Sequence, residues 1–170
     1  PAMHYVSWDR TDRDAPKLLA EAGPEVLGIF QDTRASVNGE IWDLTLTPEA
    51  GAVATRDGEE IVRAHDPLRR GEHVRVDIEG RGYIMVGETS RNWIIEDAAG
   101  AKVAQFSREN SGVRQAILEF EGETDLPLTD VAGLAWLSRE VMESRQVGSA
   151  NALIATLTLL SAVALVVFFL

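Results

Sequence analysis

The final 25 residues, Gln146 to Leu170, carry no charged side chain. From Ala150 the chain reads ANALIATLTLLSAVALVVFFL. A helix of about twenty such residues is roughly 30 Å long, the hydrocarbon thickness of a bilayer. No polar stripe interrupts the run. The expectation is a single transmembrane helix over 149–170, anchoring by its tail a domain that stays outside the lipid. Arg139 and Arg145 precede the span, so the positive-inside rule places that domain on the cytoplasmic side. The first residues, PAMHYVSWDRTDRD, lack the basic and apolar regions of a signal peptide.

The formal net charge of −11 falls entirely before the tail. An acidic surface repels phosphate backbones, which argues against nucleic acid as a partner. The chain has no cysteine, so disulfides, thiolate nucleophiles and thiolate metal sites are excluded.

Four segments are expected. Residues 1–22 are polar and turn-rich and read as an arm. Residues 23–122 alternate with period two: Trp42, Leu44 and Leu46 share one strand face, and Val74, Val76 and Ile78 share another. Asn38-Gly39 and Asp57-Gly58 are hairpin turns. Together these predict a mainly β domain, an antiparallel barrel or sandwich of about eight or nine strands. They fall near 26–31, 40–47, 52–56, 60–64, 73–79, 82–88, 92–97 and 101–107, with a ninth at 113–121. Two Trp-bearing hairpins, at Trp42 and Trp93, echo one another, through duplication or chance. Residues 124–147 form an amphipathic helix, with Val131, Leu134, Ala135, Leu137, Val141 and Met142 on its apolar stripe. It is expected to pack on the β domain.

Convergent chemistry is sparse. His4, His65 and His73 lack ligand spacing. The acidic run Glu119, Glu121, Glu123 and Asp125 reads as a solvated strand face rather than a cation site. No nucleophile elbow or phosphate-binding loop is present. No catalytic residue, cofactor or metal is therefore expected. Arg69-Arg70 is expected to pair with nearby carboxylates. Trp42 and Trp93 read as core; Trp8 on the arm reads as a possible partner contact, and Trp136 on the late helix either fills the sheet's interior or reaches a partner. In the tail, Ala152, Thr156 and Ala164 lie along one face that suits close helix packing in lipid.

The segment from Trp93 to Arg108, WIIEDAAGAKVAQFSR, followed by a strand, Leu126-Pro127-Leu128 and an apolar helix, resembles the tubby-like family of phospholipid scramblases and LURP-one-related proteins. The resemblance spans about 36–145. It implies a recurring strand–Asp–turn–Gly–strand unit and a twelve-strand barrel threaded by a late apolar helix. The chain departs from that pattern in its lower expected strand count, its missing cysteines and its missing basic lipid-binding face. The resemblance therefore bears on fold, not on scrambling or phosphoinositide binding. A pleckstrin-like barrel ending in a Trp-bearing helix is the alternative fold. The functional expectation is a tail-anchored, non-catalytic accessory or scaffold subunit of a larger membrane complex, respiratory or transport. Its partners would be integral membrane subunits and the bilayer. The alternative is a membrane-tethered lipid-binding, scramblase-like module with an apolar ligand inside the barrel.

Overall fold

The computed structural model describes residues 3–89, 92–107 and 117–169, without side chains at 117, 146–156 and 168–169. Twelve strands precede one helix. They are β1 (Met3–Asp9), β2 (Lys17–Ala20), β3 (Val26–Phe30), β4 (Arg34–Val37), β5 (Glu40–Thr47) and β6 (Gly51–Arg56). Then follow β7 (Glu59–Ala64), β8 (His73–Ile78), β9 (Arg81–Gly87), β10 (Asn92–Asp97), β11 (Lys102–Ser107) and β12 (Ile117–Thr124). The helix α1 runs Leu128–Phe169. Each strand pairs antiparallel with the next, and β1 pairs with β12 through Val6↔Leu118 and Ser7↔Ile117, closing the barrel.

The expected eight or nine strands in a barrel or sandwich are thus corrected to a closed barrel of twelve. The additional strands are β1, β2 and β4. The arm expected over 1–22 is corrected with them, because 3–9 and 17–20 are barrel staves. The first half of the ninth expected strand, 113–116, lies outside the described residues.

The two ends of the barrel differ. At one end, tight turns join strands: Asn38 and Gly39 have φ of 50° and 79°, and Asp57 and Gly58 have 52° and 80°. Paired left-handed residues match the twist of the flanking strands, which is why Asn-Gly and Asp-Gly serve there. At the other end the connections are longer, including 10–16 and 65–72.

The helix is the barrel's core. Every residue from Asp130 to Arg139 is buried, and Val131, Ala132, Leu134, Ala135 and Leu137 are completely so. They face Val6, Leu18, Phe30, Trp42, Val62 and Ile78 from the staves in one continuous cluster. A helix apolar all round is stable only where it is surrounded, and here the closed sheet surrounds it. Gly133 lets it approach closely, since a Cβ there would lie 2.9 Å from Val62 Cγ2 and 3.2 Å from Ile78 Cδ1. The amphipathic helix expected to pack on the sheet instead runs through it.

The expected transmembrane, single-pass anchor is also corrected. Among the described residues no helix is long and apolar enough to cross a membrane. The helix is continuous, and its first turns are used as barrel core. The tail-anchored topology and the single-pass membrane localisation fall with the expected anchor.

Candidate functional site

Polar side chains hold the helix at both mouths of the barrel. Where it enters, Asp130 stands in the first turn with no exposed surface. Arg81 donates to it twice, Nε to Oδ2 at 2.8 Å and Nη2 to Oδ1 at 2.6 Å. The Tyr83 hydroxyl donates to Oδ2 as well. Arg81 and Tyr83 alternate on β9, so one strand supplies both donors. Burial pushes the Tyr83 hydroxyl pKa well up, and the bond to Asp130 pushes it further. The same carboxylate holds the Arg81 guanidinium in its charged form. A fully buried carboxylate survives only with such partners.

Where the helix leaves, a second polar group gathers. The Arg139 guanidinium lies 4.4 Å from the Trp8 ring centroid and 5.9 Å from that of Phe30. Trp8 meets Phe30 edge-on at 5.3 Å, and Phe30 meets Trp42 likewise at 6.2 Å. Arg139 Nη2 donates to Glu140 Oε1 at 3.2 Å. Its Nε and Nη1 are buried with no hydrogen-bond partner among the described residues. Burial pushes the Glu140 carboxyl pKa up against the pull of Arg139, and Glu143 and Asp32 add to the rise. Arg10 reaches Glu143 at 3.4 Å, tying the β1–β2 connection to the helix. On the far side Arg145 donates to the Gly71 carbonyl at 2.7 Å and lies 4.6 Å from the Trp93 ring centroid.

Beside Arg139 a half-open cleft of about 520 Å³ is formed between the helix and the connections after β1 and β3. Phe30, Leu44 and Leu46 form its apolar wall. Asp14, Asp32, Glu140 and Glu143 supply carboxylates, and Arg13 and Arg139 supply guanidinium groups. That volume lies in the range of small-molecule sites.

Of the possible partner contacts, Trp8 is buried rather than an exposed anchor, and Trp136 takes its interior reading. Trp8 is 6 % exposed and Trp136 1 %. Both rings point into the barrel, where a closed sheet leaves them nothing outside to touch. Ala164 lies in the exposed apolar stretch of the helix. The side chains of Ala152 and Thr156, the other two members of the expected packing face, lie outside the described residues. Trp42 and Trp93 are core. Arg69 pairs with Glu49 at 2.7 Å. Glu119, Glu121, Glu123 and Asp125 are exposed, with Glu121 paired to Lys102 at 3.0 Å. His65 and His73 are exposed and His4 faces Glu21, and among the described residues no three metal-ligating side chains converge.

Sequence reasoning missed Asp130, Arg81 and Tyr83. The available signal was an Asp in the first turn, directly ahead of the apolar run Val131 to Leu137. It also missed the cleft, whose parts come from segments far apart in the chain. The chain matches no protein-family model, no curated protein and no solved structure.

Proposed function

We propose that the protein is a non-catalytic accessory or scaffold subunit of a larger membrane-protein assembly. Its barrel is the folded head, and the outer part of α1 is the segment that the assembly covers. The observation that carries this reading is the exposure of Leu157, Leu159, Leu160, Val163, Leu165, Val166 and Val167, each between 53 % and 68 %. These positions advance by about 100° per residue and so occupy every side of the helix. Exposed apolar area of this extent marks an interaction site. A flat surface covers one side only, whereas apolar helices of partner subunits grouped around the segment cover all of it. The polar ties at Arg10, Arg139 and Arg145 support the same reading, because they hold the emerging helix at a set angle to the head.

The resemblance to tubby-like barrels stands as part of this proposal, supported by twelve antiparallel strands around an apolar helix. The lipid-handling alternative draws less support. Its apolar ligand would need the barrel interior, and that interior is occupied from Val131 to Val141 by the chain's own helix.

Native purification after cross-linking tests the proposal. The full chain is expected to be recovered with companion subunits, and Leu160→Lys combined with Val163→Lys is expected to lose them while the head stays folded. Recovery of the unaltered chain as a lone monomer would refute the reading.

A further inference from the structure

The bare apolar segment of α1 rises from a barrel mouth whose charges are unevenly placed. On one side stand the connections 10–16 and 31–33, and the cleft brings Asp14 and Asp32 beside Glu140 and Glu143 of the helix. Part of this charge is cancelled within the chain: Arg10 meets Glu143 at 3.4 Å, and Arg139 meets Glu140 at 3.2 Å. Asp12, Asp14 and Asp32 are exposed, and among the described residues none of them forms an ion pair; Asp12 accepts only from the Asp14 backbone N–H. Arg13 is the cation left to set against these three carboxylates among the described residues. The excess is felt within the fold. Glu140, pushed toward its neutral form chiefly by burial, is pushed further by Glu143 and Asp32. On the far side of the mouth Arg69 pairs with Glu49, Arg75 pairs with Asp66, and Arg145 faces a neutral carbonyl. The negative sector therefore belongs to the β1–β4 side, directly at the foot of the bare helix.

A second copy of this chain does not match that foot. Side by side and parallel, two copies bring the same carboxylates together beneath heads that each hold a net charge of −11. Like charges facing one another across an interface are costly. Laid in the opposite direction, the neighbour presents a tail with no charged side chain from Gln146 onward, and the carboxylates stay unmatched. A chain that matches both surfaces is an apolar helix with cations at one end.

Given the reading that partner helices cover the outer part of α1, we propose that the covering chain is a different protein, an apolar helix whose end nearest the head carries a cluster of lysine or arginine side chains that meets Asp12, Asp14 and Asp32. Apolar contact along α1 supplies the affinity. The charge contact sets the direction of the partner helix and excludes both acidic partners and other copies of this chain.

Fluorescence titration of the full chain in non-ionic detergent with two labelled synthetic helices tests it. Both are leucine–alanine helices of about twenty residues; one ends in a lysine cluster and the other in a glutamate cluster. The lysine-ended helix is expected to bind about tenfold more tightly or better. The difference is expected to vanish in about 1 M salt, where the screening length is about 3 Å. Asp12→Asn, Asp14→Asn and Asp32→Asn made together, all at exposed positions, are expected to remove most of the preference with the circular dichroism spectrum unchanged. Carbodiimide, which joins a lysine amine to a carboxylate in contact with it, is expected to couple the peptide to Asp12, Asp14 or Asp32. Equal binding of the two helices would overturn this proposal and leave the covered-helix reading standing. So would coupling that falls as often on carboxylates of the tight-turn end, such as Asp57 and Glu79. Binding of neither helix would overturn both. Self-association of the full chain tighter than its binding of the lysine-ended helix would assign the surface to a second copy and overturn the proposal as well.

Discussion

Replacing Asp130 by Asn removes one charge from the most enclosed polar position in the barrel and changes its shape little. The carboxylate is fully buried and accepts from Arg81 at 2.8 and 2.6 Å and from Tyr83. Breaking a buried ion pair by deleting one partner costs about 3–5 kcal/mol. Arg81 is 43 % exposed and can rehydrate its charge, which brings the expected loss down to about 2–3 kcal/mol. The amide also turns an N–H toward a guanidinium, or else toward the Tyr83 hydroxyl. With a urea slope of about 2 kcal/mol per molar, the unfolding midpoint should fall by about 1–1.5 M with the slope unchanged. Arg81→Met made in the Asp130→Asn background should then cost much less than Arg81→Met alone, because the two groups serve one interaction. A midpoint shift under about 0.3 M, or full additivity in the cycle, would refute the reasoning.

Trp136→Ala empties the barrel axis and should cost about 3–5 kcal/mol in equilibrium unfolding, a large share of a domain's total. A loss below about 1 kcal/mol would mean the ring is not enclosed. Gly133→Leu should destabilise by about 1–3 kcal/mol through overpacking against Val62 and Ile78, whereas Gly133→Ala should come out near neutral as helix propensity offsets the contact. Thermal melts of the two variants separate them, and equal melting points would contradict the close approach. Tyr83 has a raised pKa in the folded state, so its contribution is complete below the unfolded value and is lost as pH rises past about 10. Stability should therefore fall through the alkaline range, and Tyr83→Phe should flatten that fall; an unchanged alkaline profile in Tyr83→Phe would assign the loss elsewhere.

The strands that alternate cleanly were legible in the sequence, and the others were not for local reasons. In β5, Trp42 and Leu44 face in while Ile41 and Asp43 face out, and the Asn38-Gly39 turn marks its start. In β1 the register shifts between Met3 and Tyr5, so the buried residues are Met3, Val6 and Trp8, and strict period two is broken. β2 is four residues with its own shift between Leu18 and Leu19, and β4 shows only Ala35 and Val37 to the core. Such short staves carry little pattern and become strands because their neighbours pair with them. Trp8 shows the consequence: in a segment read as an arm it looked like an interface anchor, and in a strand it is core.

The helix misled for a different reason. Amphipathicity assigns a helix one covered face, and the charges at Arg139, Glu140, Glu143 and Arg145 implied an open one. Those residues lie at the barrel mouth, so their polarity marks a position along the axis rather than a side of the helix. The apolar tail carries the same ambiguity. Composition reports that a segment avoids water, and only tertiary structure decides what replaces the water. Of the candidate site, the ion pair of Arg69 was legible from local charge. The Asp130 cluster and the Arg139 cleft join residues roughly 50 to 130 positions apart, and no local pattern predicts such pairs.

Native-state hydrogen exchange over Val131 to Val141 tests most directly whether the helix is the interior of a closed barrel. Amides there should exchange only through global unfolding, as slowly as the most protected positions of β5 to β9, and should all speed up together in Asp130→Asn. Exchange of this stretch ahead of the strands, with the sheet still protected, would place the helix outside the barrel.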